Sequence, residues 1–128
     1  HTYFFVDDIE AIKIDGLDNV TYIDKVDHQK IKVQEGLVAI SEETDRIYLS
    51  SNALHLLDEN IKRSIYISGE GITSWVIWNP WTEKVKSIPD MSEKEYKKFI
   101  CIEAANADRV INILPNESYT LKMIMRLG

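Results

Sequence analysis

Short runs of β-branched and aromatic residues, separated by turn residues, recur along the whole chain and constrain its fold most strongly. Such residues favour strands, and the alternation of apolar and polar side chains in these runs is typical of sheets with one packed face. The predicted strands cover residues 3–6, 9–14, 20–24, 31–33, 44–50, 52–57, 62–68, 73–78, 99–104 and 119–127. Together they predict an all-β fold in which antiparallel sheets form a sandwich or a barrel.

One short helix is predicted near residues 92–99. Ser92 is followed three residues later by Glu95, which is the capping-box pattern at the start of a helix. The pattern predicts a helix over residues 93–98, with Tyr96 and Phe99 packing inward.

Composition restricts the function classes. The 128 residues suffice for one domain, 1–128, and the net charge of −6 without a Lys/Arg cluster makes nucleic acid an unexpected partner. No apolar run is long enough to span a bilayer, so no membrane partner is expected. The single cysteine, Cys101, fits a reducing compartment and a cytoplasmic location. Because the chain opens with His1 in a strand-like pattern, we expect it to be a piece of a longer domain.

Glu103 is the first candidate for chemistry. At strand period, Phe99, Cys101 and Glu103 face one way, and Ile100 and Ile102 face the other. An unpaired carboxylate among apolar neighbours is costly to ionise, which suits a general acid or base. The alternative is a strand-end glutamate that reaches solvent or an arginine. Cys101 shares this face, but a buried inert thiol is the favoured interpretation.

The run W-N-P-W-T-E-K from Trp78, which continues to C-I-E-A-A-N ending at Asn106, resembles the signature region of the glucose-6-phosphate 1-epimerases. These proteins form part of the aldose-1-epimerase, or galactose-mutarotase-like, superfamily. H-T-Y-F from His1, G-L-D-N-V-T-Y-I-D-K-V from Gly16 and E-E-T-D-R-I-Y-L from Glu42 agree in order. The resemblance implies an antiparallel β-supersandwich, of which this chain is similar to the C-terminal half.

The resemblance also implies roles for single residues. Glu103 matches the catalytic base, His1 the catalytic acid and Asp45 a sugar-binding aspartate. An ion pair between Asp45 and a neighbouring Lys or Arg is the alternative. Trp78 and Asn79 are the remaining substrate-binding candidates. A tryptophan ring suits the apolar face of a sugar, although core packing is its commoner use, and Asn79 with the following proline also predicts a turn.

The function implied for the intact protein is cofactor-free interconversion of the α and β anomers of a hexose 6-phosphate, by acid–base ring opening and reclosure. The expected partner is a small-molecule sugar phosphate, no metal or other cofactor is expected, and the oligomeric state is left open. A non-catalytic carbohydrate-binding β-sandwich is one alternative. The other is a fragment that is inactive alone because half of the cleft is missing.

Overall fold

The computed structural model describes residues 1–128 and consists of ten strands, one α-helical turn and two 3-10 turns. The strands are β1 (Tyr3–Phe5), β2 (Ile12–Asp15), β3 (Thr21–Asp24), β4 (Lys30–Val33), β5 (Thr44–Tyr48), β6 (Leu54–Asp58), β7 (Arg63–Glu70), β8 (Ser74–Asn79), β9 (Phe99–Ala105) and β10 (Lys122–Leu127). The helix α1 spans Trp81–Lys84 and is followed by 3-10 turns at Val85–Ser87 and Glu95–Lys98. None of the helices has the length and apolar character required to cross a membrane.

The strands form two antiparallel sheets. One has six strands in the order β1-β9-β8-β5-β3-β4, and the other has four in the order β10-β7-β6-β2. A cluster of 21 buried residues, from Phe4 to Ile102, forms the core, to which both sheets contribute. Trp75 is the largest fully buried side chain. The prediction of an all-β, antiparallel sandwich is therefore confirmed.

Strand β9 shows how alternation separates the core from the outer face of the six-stranded sheet. Ile100 and Ile102 are 0% exposed and belong to the core cluster. Glu103 points to the opposite face because side chains alternate along a strand. β9 lies between β1 and β8, so its outward side chains have neighbours on both sides.

The helical segments differ from the prediction over residues 93–98. The chain there makes only one 3-10 turn, Glu95–Lys98, and enters β9 directly at Phe99. The backbone N–H of Ser92 donates to the Glu95 carboxylate, so only one half of the predicted capping box is present. No side chain caps the turn, and β9 begins too soon for a longer helix to form.

The only α-helical turn, α1, was not predicted and follows the corner at the end of β8. Asn79 closes this corner by accepting a hydrogen bond from the backbone N–H of Trp81, at 2.9 Å. Trp81 has a φ of 58°, a conformation that bulky residues rarely adopt, so local propensity gave no signal for this turn.

Candidate active site

Two neighbouring rows of side chains cross the outer face of the six-stranded sheet. In the first row, Tyr3 lies opposite Cys101, Cys101 opposite Trp78, and Trp78 opposite Asp45. In the second row, Glu103 lies opposite Val76, which in turn lies opposite Ile47. Residues two apart on a strand share a face, so the two rows lie side by side. All of these residues except the buried Cys101 line a hollow of about 350 Å³, to which His1, Lys25 and Ala107 also contribute.

His1 and Glu103 are in direct contact in this hollow. Nδ1 of His1 lies 2.9 Å from Oε1 of Glu103. The pairing of β1 with β9 creates this contact, because the carbonyl oxygen of Thr2 accepts a hydrogen bond from the Ile102 N–H at 3.1 Å. The imidazole is 85% exposed and the Glu103 side chain 18%. One partner can therefore exchange protons with solvent, and the other is largely shielded.

Glu103 has a second partner, Cys101. Sγ of Cys101 lies 3.2 Å from the same Oε1 atom. Burial, together with the hydrogen bond and the negative charge of Glu103, raises the pKa of the thiol well above its ordinary value. The thiol therefore keeps its proton and donates to the carboxylate. The expectation of an unpaired Glu103 is wrong, because His1 and Cys101 both bind it.

Asp45 lines the hollow and is also in an ion pair. Nζ of Lys25 lies 3.3 Å from Oδ2 of Asp45, and the Asp45 side chain is 15% exposed. The contact with a neighbouring lysine, considered as the alternative to sugar binding, is thus present, and it leaves Asp45 at the edge of the same hollow. Lys25 was not among the predicted site residues. Its position just beyond β3 becomes informative only once β3 is known to pair with β5.

Aromatic side chains form one wall of the hollow. Trp78 lies 6.1 Å from Tyr3 and 5.8 Å from Phe99, measured between ring centroids, and Tyr3 and Phe99 are 5.2 Å apart. Burial raises the pKa of the Tyr3 phenol, and the nearby Cys101 and Glu103 add to that shift. Tyr3 was missed by the sequence analysis, although it follows His1 at strand period.

Asn79 does not lie in the hollow and is a correction to the predicted site. It is fully buried, and its Nδ2 donates to the carbonyl oxygens of Tyr96 at 2.8 Å and of Phe99 at 2.9 Å. Oδ1 accepts the Trp81 N–H, so the amide is satisfied internally. Asn79 adjoins Trp78 in the same strand and therefore faces the other side of the sheet. Its role is to hold the corner between β8 and β9.

The other tryptophans are structural. Trp75 lies in the core and donates its indole N–H to the Asn52 carbonyl oxygen at 2.9 Å. Trp81 packs edge-on against Tyr96, with ring centroids 5.2 Å apart. No group of three or more His, Cys, Asp or Glu side chains is arranged to hold a metal ion.

The fold and the site define a two-sheet β-sandwich protein with a histidine and a glutamate in contact in an open hollow. The sequence model of the aldose 1-epimerase family matches residues 1–126. The chain belongs to this family, as the resemblance implied.

Sequence comparison supports the same conclusion. A relative from Escherichia coli K12 that is named "Putative glucose-6-phosphate 1-epimerase" is 32% identical over 130 residues; the match covers 100% of this chain and 44% of that protein. A relative of the same name from Cenchrus ciliaris is 31% identical over 121 residues, which are 93% of this chain and 37% of that protein. The chain thus spans less than half the length of these curated relatives.

Solved structures share the fold. A crystal structure described as a putative mutarotase (YeaD) from Salmonella typhimurium has a TM-score of 0.83 and 26% identity. The match covers 100% of this chain and 44% of that one. The crystal structure of HI1317 also gives a TM-score of 0.83, at 29% identity, and covers 100% of this chain and 45% of that one.

Proposed function

We propose that the protein interconverts the α and β anomers of a hexose 6-phosphate without a cofactor, with Glu103 as base and His1 as acid. The observation that carries the proposal is the 2.9 Å contact between His1 Nδ1 and Glu103 Oε1 in a hollow of about 350 Å³. The names of the relatives described above support the substrate class.

The reaction needs one proton removed and one delivered. Glu103 takes the proton of the anomeric hydroxyl O1, whose electrons form the C1=O1 bond of the aldehyde. The C1–O5 bond breaks, its electron pair stays on the ring oxygen O5, and protonated His1 gives O5 its proton. After rotation about C1–C2 the ring closes on the other face, Glu103 returns the proton to O1, and His1 recovers its proton from O5. Assistance of this type contributes about 10²–10⁴-fold per group.

The geometry of the pair suits this exchange. O1 and O5 are both bonded to C1, so the acid and the base must be close together. Nε2 of His1 makes no hydrogen bond within the chain, and Nδ1 is held by Glu103. An imidazole fixed through one nitrogen presents the other in a defined direction, and histidine changes its charge near neutral pH.

The remaining residues of the hollow bind the sugar. Asp45 accepts hydrogen bonds from sugar hydroxyls, and the 3.3 Å contact with Lys25 holds its carboxylate in position. Trp78 covers the apolar C–H face of the ring. Lys25 is the only lysine or arginine in the hollow, and Asp45 already pairs with it, so the phosphate group needs cations from outside these residues.

A coupled assay that follows the anomerisation of pure α-glucose 6-phosphate tests the proposal. It should be run on the 128-residue chain and on a longer chain that contains it, because the relatives are more than twice as long. We expect a rate above the spontaneous one, which Glu103→Gln lowers by about 10²–10⁴-fold. An unchanged rate in Glu103→Gln would remove Glu103 from the mechanism.

Binding without catalysis is the second candidate. The 85% exposure of His1 favours it, because an acid open to solvent is poorly held against a sugar. Calorimetry with glucose 6-phosphate, run beside the anomerisation assay, separates the two functions. Heat of binding with no acceleration would identify a carbohydrate-binding module, and the absence of both would identify an inactive fragment.

A further inference from the structure

We propose that Cys101 is a positioning residue for Glu103: its thiol and the His1 imidazole together anchor Oε1, which leaves Oε2 as the oxygen that takes the proton from the sugar. The inference rests on the proposed function and deepens it, because it states how the base is oriented.

Both contacts involve the same oxygen. Cys101 Sγ lies 3.2 Å and His1 Nδ1 lies 2.9 Å from Oε1. Oε2 of Glu103 accepts no hydrogen bond within the chain, and it is not among the buried polar atoms that lack a partner. Since Oε2 is neither bonded nor buried, it is open to the hollow that Glu103 lines. The carboxylate therefore has one anchored and one free oxygen.

The thiol is suited to be a permanent donor. Cys101 is 0% exposed, and its register partners on the two flanking strands are Tyr3 and Trp78. Burial and the Glu103 carboxylate raise the pKa of the thiol, so it remains protonated and does not act as a nucleophile. Residues 101 and 103 share one face of β9, so the strand itself brings the donor to the acceptor.

The other charged or titratable groups around the carboxylate are few. On one side lie Tyr3 of β1 and the imidazole of His1, which precedes β1. The far side of the hollow brings Lys25 and Asp45, which pair with each other. β8 contributes only Val76 and Trp78 to the hollow. Without the thiol, His1 is the sole donor to Oε1, and the carboxylate is both freer to rotate and less stabilised as an anion.

Three substitutions separate hydrogen bonding from packing. Cys101→Ser keeps a donor, Cys101→Val fills the space without one, and Cys101→Ala serves if valine prevents folding. We measure anomerisation of glucose 6-phosphate against pH in the longer chain, and the ¹³C titration of the Glu103 carboxyl carbon by NMR in the same variants.

For Cys101→Val we expect kcat to fall roughly 3- to 10-fold with KM changed less than about twofold, since one neutral hydrogen bond is lost. The acid limb of the rate profile and the midpoint of the ¹³C titration should both move to higher pH, by roughly half a unit to one unit. Cys101→Ser should stay close to the parent in both measurements.

The inference is overturned if the rate–pH profiles of Cys101→Val and Cys101→Ala superimpose on that of the parent. It is also overturned if kcat falls equally in the serine and valine variants, because the thiol would then only fill space. The NMR midpoint distinguishes the two proposals. A midpoint that moves in valine but not in serine, in a protein that does not anomerise the sugar, supports the positioning contact and contradicts the proposed function. A midpoint that stays unchanged in the valine variant, in a protein that does anomerise the sugar, supports the proposed function and contradicts the positioning contact.

Discussion

Lys25 and Asp45 are joined twice, once through their side chains and once through their backbones. Nζ of Lys25 lies 3.3 Å from Oδ2 of Asp45, and the Lys25 N–H donates to the Asp45 carbonyl oxygen at 2.9 Å. The backbone bond fixes where the lysine leaves β3, and the side-chain contact then fixes the Asp45 carboxylate at the edge of the hollow.

Loss of the lysine charge should therefore weaken sugar binding more than it weakens folding. In Lys25→Met we expect the KM for glucose 6-phosphate to rise about 3- to 10-fold, because Asp45 loses the partner that orients it. The free energy of unfolding should change by less than about 1 kcal/mol, since the pair is partly exposed. Steady-state kinetics and urea unfolding check the two parts.

Lys30→Met is the matched control for this change. Lys30 pairs with Asp27 at 3.1 Å, outside the hollow, so its loss should leave KM unchanged. Equal effects of the two substitutions on KM would mean that Lys25 acts only through the overall charge of the protein.

His1 should be required for the reaction but not for the fold. His1→Asn removes the group that delivers the proton to O5, so kcat should fall about 10²–10⁴-fold. The imidazole is 85% exposed and its only hydrogen bond is to Glu103, so the melting temperature should hardly change. Anomerisation kinetics and circular dichroism melting measure the two effects.

His28→Asn is the control for a histidine that lies outside the site. His28 is exposed in a loop and has a φ of 53°, a conformation that asparagine tolerates. The anomerisation activity of His28→Asn should equal that of the parent. If His1→Asn retained full activity, the acid would have to be another group.

Substitution of Trp78 should weaken sugar binding, whereas substitution of its neighbour Asn79 should lower stability. Trp78→Leu removes the aromatic wall and should raise the KM or Kd for the sugar about 2- to 10-fold. Asn79→Ala leaves the buried carbonyl oxygens of Tyr96 and Phe99 without a donor, and each such loss costs about 1–3 kcal/mol. Thermal melting and sugar titration of both variants separate binding from stability.

A loss of sugar affinity in Asn79→Ala at a temperature where the variant is still fully folded would contradict its structural role. A melting temperature of Trp78→Leu as low as that of Asn79→Ala would show that Trp78 is part of the core instead of the binding wall.

Stability in acid should depend on Asp24. Burial opposes its ionisation, but hydrogen bonds from Lys32 and from the Asp27 backbone, with the charges of Lys32 and Arg46, outweigh that cost and lower its pKa. A lowered pKa contributes stability that is present above the ordinary aspartate value of about 3.9 and is lost as the pH falls through the folded-state value. Urea unfolding at pH 7 and below pH 3 measures this loss.

Asp24→Asn removes the contribution at all pH values. We expect it to lower the free energy of unfolding by about 1–3 kcal/mol at pH 7 and to change it much less in acid. Asp90→Asn is the control, because Asp90 is exposed and makes no ion pair. If the Asp24→Asn deficit were as large in acid as at pH 7, charge would not be its cause.

The strands were largely predictable because alternation is a local property. The alternation in β9 followed from its own seven residues, which predicted that Ile100 and Ile102 face opposite to Glu103; the structure shows that their face is the core. Helical turns were predicted less well. Residues 93–98 carry a capping signal but make one 3-10 turn, and α1 depends on a corner that Asn79 closes through contacts with Tyr96 and Phe99, 17 and 20 positions away.

The candidate site, too, was only partly predictable from the sequence. His1, Asp45, Trp78 and Glu103 were singled out through family-like motifs, and all of them line one hollow. Tyr3 and Lys25 also lie in runs that resemble the family, H-T-Y-F and G-L-D-N-V-T-Y-I-D-K-V, but the resemblance gave them no role and they were missed. Asn79 shares a motif with Trp78, but a motif does not reveal on which face of a strand each of its residues lies.

By itself the sequence determined the class of the fold, the alternation of side chains within single strands, and the family, because periodicity and motifs are written into consecutive residues. Tertiary structure alone decided that Lys25 reaches Asp45 and that His1 meets Glu103 across 102 positions. Such contacts depend on the order and register of strands, and these are set by how both sheets bury their apolar faces together.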